Sequence, residues 1–249
     1  MSKLVLVTGS SGAVGRAVCK ALAAAGHRVR GFDLVPNAEV SDQILGTVAD
    51  AALMERAMEG VQAVVHLAAA MEWLEFLRDQ VPANVIAIFH LFEAAKRQNV
   101  PRIVLASTIQ VARWKKDQLR TIADGTSPSN TYGATKVFAE AMGQVYAHRA
   151  KTCVIAARIC WLPRNADTVR VIREHNGQTS YLSHDDAGRF FLRAVDAQHP
   201  DLAPGTFHAM YITSKVPAGM PERVDISEAR TLLGYDPQDT FPEGQPYGP

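Results

Sequence analysis

A chain of 249 residues suits one α/β unit, since such folds run to about 200–250 residues around a single sheet. Hydrophobic residues make up 47% of it and charged residues 20%, enough apolar surface to bury a sheet under helices. The 26 basic residues nearly cancel the 25 acidic ones, which excludes the broad basic field that draws proteins to nucleic acid or anionic lipid and makes a small molecule the expected partner.

Leu4 to Val7 is an apolar run far too short to cross a membrane, with no signal-type cleavage site beside it, and reads as a first buried strand. It runs into Thr8-Gly9-Ser10-Ser11-Gly12-Ala13-Val14-Gly15 and then a helical pattern from Ala13 to Ala25. Glycine between strand and helix turns the chain tightly, lets backbone approach a pyrophosphate and lets the helix pack closely. The helix N-terminus adds free N–H groups and positive dipole for the anion. Arg28 to Phe32 reads as the second strand, closed by Asp33, where a carboxylate accepts ribose hydroxyls and repels a 2′-phosphate, favouring NAD over NADP. Arg28 and Arg30 lie close by, and strand alternation directs both away from Asp33 or into solvent.

Ala51 to Met58 is helical, Ala63 to Leu67 a strand, Val85 to Arg97 helical and Arg102 to Ala106 a strand ending at Ser107 and Thr108. Tyr132 to Arg149 is helical and Thr152 to Arg158 a strand. This alternation predicts a doubly wound parallel sheet that binds its ligand beyond the strands' carboxyl ends. After Arg158 the alternation weakens, with turns at Pro163 and Asn176-Gly177 and a helix from Asp185 to Val195 that Asp185 and Asp186 are expected to cap. A Pro/Gly-rich tail runs from Phe241. The expected division is 1–160 for dinucleotide binding and catalysis and 161–249 for a small substrate-binding cap that is not an independent domain. Cys19, Cys153 and Cys160 show no ligand spacing, so neither metal nor disulfide is expected and a reducing cytoplasm is.

Tyr132 and Lys136 stand at i, i+4 on one helix face, their Cβ atoms about 5–6 Å apart. An ammonium there is expected to lower the phenol's pKa and make Tyr132 a general acid/base for a hydroxyl whose carbon loses hydride. The order of the glycine loop, acidic strand end, strand-end hydroxyls, Tyr and Lys resembles the short-chain dehydrogenase/reductase superfamily, in its extended branch. The match lies in Thr8 to Gly15, His66-Leu67-Ala68-Ala69, Ala106-Ser107-Thr108 and Tyr132 to Lys136, and covers about residues 3–160. The resemblance implies a Rossmann-type fold and NAD as cofactor. Thr108 would position the substrate oxygen, with Ser107 as alternative, Tyr132 would move the proton, and Lys136 would tune Tyr132 and hold the nicotinamide ribose. Leu34 would join Asp33, Asp50 would meet the adenine amino group, and Leu67, Ala68, Ala69 and Ile159 would lie along the cofactor. Asn84 would order water or shape the site; a buried asparagine satisfying backbone groups is the alternative reading. The family also implies a dimer through the helices Val85 to Arg97 and Tyr132 to Arg149.

The segments Ala157 to Ile159, Tyr181 to Asp186 and Leu233 to Asp239 are similar to those of uronate dehydrogenases, which oxidise hexuronic acids with NAD. Ile109 and Gln110 stand where those enzymes carry asparagine and histidine, and Ala70, Met71 and Trp73 replace small polar residues, so besides a sugar acid a less polar alcohol, aldehyde or lactone is also consistent. Met71, Ser107, Ile109, Gln110 and Arg170 are the candidate substrate contacts, with Arg164 a second choice for a guanidinium that grips a carboxylate. Arg113 to Asp117 reads as a mobile rim of the site. The rival readings are an epimerase or dehydratase that retains its NAD, and a non-catalytic dinucleotide sensor.

Overall fold

Alternation builds the sheet. In Leu4–Thr8 (β1) every side chain is buried, with Val5 and Val7 in one core and Leu4 and Leu6 in the other. The structure, a computed structural model, describes residues 2–113 and 118–241. Among these, β1, Arg28–Asp33 (β2), Asp42–Leu45 (β3), Ala63–His66 (β4), Arg102–Thr108 (β5), Cys153–Ile159 (β6) and Phe207–Ile212 (β7) form one parallel sheet in the order β3-β2-β1-β4-β5-β6-β7. The order reverses between β1 and β4, so the crevice expected of a doubly wound sheet opens at their carboxyl ends.

The helices are Ala13–Ala24 (α1), Ala51–Met58 (α2), Ala87–Arg97 (α3), Thr131–Ala150 (α4), Ala166–Glu174 (α5), His184–Asp196 (α6) and Ser227–Leu233 (α7). One face of the sheet packs on α1 and α6 through Val18, Leu22, Phe190 and Phe191, the other on α2, α3 and α4 through Met54, Leu91, Phe92 and Tyr146. Gly188 lets α6 lie close to α1: a Cβ there would stand 3.0 Å from the Ala17 carbonyl oxygen.

The second half of the chain is knit into the same layers. Both β7 and α6 come from beyond residue 160, and β7 extends the sheet beside β6. What stands above the carboxyl edge is smaller: α5, the turn Gly177–Ser180 and the bridge between Trp161 and Tyr181. Strands β3 and β7 and helices α5 and α7 lie outside the sequence expectations. The helix expected from Val85 begins nine residues earlier, at Phe76, as the wide π-helical segment Phe76–Ile86. Pro82 inside it has no N–H to give, and the Ala87 N–H reaches back five residues to the Pro82 oxygen. Helix α6 is capped by Ser183, whose hydroxyl accepts the Asp186 N–H, rather than by the aspartates. Asp186 is wholly buried and accepts from Ser214 and from the Gln238 and Asp239 N–H groups, pinning the end of the described chain. Trp114 to Asp117 and residues 242–249 lie outside the described residues.

Candidate active site

The glycine loop follows β1 directly. Gly9 has φ of +70°, and a Cβ on it would lie 2.7 Å from the Ala68 N, so the loop rests on the backbone that leaves β4. A Cβ on Gly15 would stand 2.0 Å from the Gly9 carbonyl oxygen, which no side chain can do, so α1 begins hard against the loop. No side chain caps α1 and its first turn carries no acid. Its opening amides, at Ala13, Val14 and Gly15, are thereby fitted to an anion, which the free N–H groups and the helix dipole both favour.

Asp33 ends β2 beside this loop. One carboxylate oxygen accepts the Ser11 N–H at 2.9 Å and the other the Leu34 N–H at 2.7 Å. The charge is therefore fixed at the loop's edge, with the Leu34 side chain exposed next to it. Arg30 is turned away into an ion pair with Asp42 and donates to the Ala57 and Glu59 carbonyls at the other end of the sheet. Asp50 is the N-cap of α2, one oxygen accepting from Ala52 and Leu53 and leaving the other for a ligand.

From β4 the chain leaves along the β1 end: the Leu67 N–H donates to the Thr8 oxygen and the Ala68 N–H to the Thr8 hydroxyl. Asn84 holds the next residue like a splint. Its amide accepts the Ala70 N–H and donates to the Ala70 carbonyl, both at 2.8 Å, and donates also to Thr135 on α4. At 3% exposure it is a buried brace between the crevice wall and α4.

Strand β5 meets α4 through its last three residues. The Lys136 ammonium donates to the Ala106 carbonyl at 2.9 Å. The Ser107 hydroxyl, 3% exposed, donates to Glu140 at 2.5 Å, so its hydrogen is committed to the protein interior. Thr108 accepts the Gln110 N–H at 3.3 Å and keeps its own hydrogen for another partner. Tyr132 and Lys136 share the inner face of α4, the ammonium 5.5 Å from the ring centroid. Asn130 caps the helix by accepting the Gly133 N–H at 2.7 Å, and Gly133 itself packs on the Gln110 carbonyl, where a Cβ would stand at 2.6 Å.

Burial dominates the charges here. It pushes the Tyr132 phenol up to about 12, with Arg164 opposing and Glu72 adding to the rise, and pulls the Lys136 ammonium down to about 8. The expected lowering of Tyr132 by Lys136 is thus not seen: burial sets the direction, and the Lys136 ammonium donates to the Ala106 carbonyl. His66, beside Lys136 and hydrogen-bonded to Thr8 at 2.7 Å, is held neutral by burial and then by the Lys136 charge, its pKa near 3.

Met71, Glu72, Trp73, Gln110 and Arg164 form the mouth. Gln110 donates to Glu72 and accepts from Asn130 at 2.6 Å, while Arg164 stacks 4.5 Å from the Trp73 ring centroid and touches the Met71 sulfur at 3.4 Å. Ile109 is instead packed into the core at 6% exposure, and Arg170 pairs with Glu174 and Asp167 along the exposed face of α5. Neither presents a group to the crevice, because the first turns inward after β5 and the second lies on a solvated face. Ile159 ends β6 level with Thr108. The sequence reading missed Glu72, Asn130 and Glu140; a cap residue two places before Tyr132 and an acid one helical turn after Lys136 were the available signals.

The sequence profile described as the NAD dependent epimerase/dehydratase family matches residues 5–162. An L-arabinose 1-dehydrogenase (NAD(P)(+)) of Haloferax volcanii is 29% identical over 94% of this chain and 96% of its own length. A uronate dehydrogenase of Pseudomonas syringae pv. tomato is 27% identical over 77% of this chain and 69% of its own length. Among solved structures, a glucuronic acid dehydrogenase from Chromohalobacter salexigens superposes with a TM-score of 0.80 at 27% identity, covering 97% of this chain and 86% of that one.

The neutral His66 makes a pH prediction. Its pKa falls from 6.5 in the unfolded chain to about 3 in the folded one, so the unfolded state binds more protons between those values. The stability it contributes is complete above pH 6.5 and is lost as the pH falls toward 3. Denaturant unfolding at stepped pH is expected to show a shallower acid loss in His66→Gln than in the wild type; equal slopes contradict the assignment.

Proposed function

The chain belongs to the NAD dependent epimerase/dehydratase family, and from that premise we propose that it is an NAD-dependent dehydrogenase that oxidises a hydroxyl of a small sugar or sugar acid, or reduces the matching carbonyl. The observation that carries this reading is the buried Tyr132 and Lys136 pair, seated on the end of β5 at the same edge of the sheet as the uncapped glycine loop. Relatives that match nearly the whole chain support a sugar substrate: besides the arabinose enzyme, an NAD-dependent glucose-6-phosphate dehydrogenase of Haloferax volcanii is 28% identical over 99% of it.

Gly9, Gly12 and Gly15 with the Ala13 and Val14 amides would hold the pyrophosphate, Asp33, Leu34 and Asp50 the adenosine, and Leu67, Ala68, Ala69 and Ile159 the nicotinamide side. When bound, NAD supplies the carbon that takes or gives the hydride. Thr108 donates its remaining hydrogen to the substrate oxygen, and Tyr132 gives or takes the proton at that oxygen. Lys136 supports the charge that develops on Tyr132 and reaches the nicotinamide ribose. Asn84 keeps the wall behind them in place. Glu72 and Gln110 offer acceptors and donors to substrate hydroxyls, and Arg164, rather than Arg170, stands where an anionic substituent would enter.

Three free, buried cysteines support work in a reducing cytoplasm. Leu77, Phe89 and Val145, exposed by 72%, 49% and 43% on the π-helical segment, α3 and α4, support a homo-oligomer through that face. Light scattering is expected to return a multiple of the 27.1 kDa chain mass; a monomer at micromolar concentration contradicts it.

Removing the phenol oxygen tests the chemistry. Tyr132→Phe is expected to bind NAD as the wild type does, by calorimetry, and to lose turnover by about 10²–10⁴-fold. Retained turnover overturns the proton-transfer role.

A further inference from the structure

Beneath the floor of the site lies a row of polar side chains that its chemistry does not use. Ser107, Arg158 and Tyr211 are direct neighbours in register on β5, β6 and β7, one residue before the row of Thr108, Ile159 and Ile212 that closes the sheet edge. All are nearly or fully buried, at 3%, 3% and 0% exposure. Glu140 enters this row from α4, one turn after Lys136, and is itself 5% exposed. One of its carboxylate oxygens accepts the Ser107 hydroxyl at 2.5 Å and the Arg158 Nε at 3.0 Å; the other accepts an Arg158 terminal nitrogen at 2.9 Å. Arg158 completes the row by donating to the Tyr211 hydroxyl at 3.2 Å.

A buried ion pair of this kind is a poor source of stability, because taking both charges from water costs about as much as their attraction returns. What it does supply is geometry: a two-toothed guanidinium and a hydroxyl admit one placement of the carboxylate, where apolar packing would admit several. The adjoining contact from α4 to β5 is the Lys136 bond to Ala106, so the two polar contacts, one helical turn apart on α4, fall on consecutive residues of β5.

We propose that Glu140 is a positioning residue of the site: by gripping Ser107 and Arg158 together it sets the height of α4 on β5, and so the placement of Tyr132 and Lys136 relative to Thr108. The proposal rests on the dehydrogenase reading for its kinetic consequence, but the seating of the helix is measurable without substrate. A shift of about 1 Å in a catalytic group can cost of order 10²-fold in rate while leaving binding intact.

Ser107→Ala removes one hydrogen bond and no charge, and so preserves the fold; Ser107→Thr keeps the hydroxyl. Glu140→Gln is the stronger break, with Arg158 left without its counter-charge. Two readouts are taken on each. By NMR of carbon-labelled lysine, the Lys136 midpoint, near 8 in the native chain, is expected to rise in Ser107→Ala and Glu140→Gln as the seat loosens and water enters, and to return in Ser107→Thr. With the sugar that the wild type oxidises, kcat is expected to fall roughly tenfold in Ser107→Ala with KM and NAD affinity nearly unchanged, and to recover in Ser107→Thr. A Ser107→Ala protein that is less stable but keeps both the Lys136 midpoint and kcat overturns the positioning role. If Tyr132→Phe retains turnover, the dehydrogenase reading fails instead, while the Lys136 midpoint still decides where α4 sits.

Discussion

The seating of α4 on the carboxyl end of β5 is the constraint on which the site depends. Three consecutive residues of one strand meet different demands there: the Ala106 carbonyl takes the Lys136 ammonium, the Ser107 hydroxyl goes to Glu140, and Thr108 is left with a hydrogen to give. Because successive side chains of a strand point to opposite faces, Ser107 turns into the α4 layer while its neighbour is released at the edge. The glycine loop meets the same frame through close backbone packing, with Gly9 resting on Ala68 and Gly15 on Gly9, and is held at its edge by the Asp33 carboxylate on the Ser11 N–H. Loop, strand end and helix are therefore joined by direct contacts, the arrangement that preorganised chemistry calls for.

Burial is the second half of that design. An ammonium and a phenol taken from water resist their charged forms, and the structure shows both effects, with Lys136 drawn down to about 8 and Tyr132 pushed up to about 12. A phenol so placed keeps its proton in the free chain. On the proposed reading it would act as a base only once the surroundings of its oxygen change, which would tie proton transfer to an occupied crevice. At the mouth the opposed charges of Glu72 and Arg164 act on the same phenol in opposite directions, so an entering substituent of either sign alters it.

Much of this was legible in the sequence, for a physical reason. A strand that must be buried on both faces is a short apolar run, and a helix that must meet a phosphate begins with glycine, so β1, the loop, α1, Asp33 and the Tyr132 helix could be read directly. The elements that were missed lack such signals. Strand β3 has the polar Asp42 and Gln43 in a half-buried edge, β7 mixes His208 and Tyr211 into its run, and the π-helical segment breaks the 3.6-residue period on which helix reading rests. Partners were harder still. That Ser107 looks inward, that Ile109 is core and that Arg170 pairs along its own helix are facts of three-dimensional neighbours, as is the long reach by which Asn84 braces Ala70.

The most direct measurement of the central claim follows NADH by absorbance while the purified protein meets NAD and a panel of aldoses, sugar phosphates and uronic acids. The account predicts free NADH accumulating mole for mole with oxidised substrate for at least one member of the panel. A sugar epimerised or dehydrated with no NADH released would contradict it, and would make the same Tyr132 and Lys136 the servants of a cofactor that never leaves.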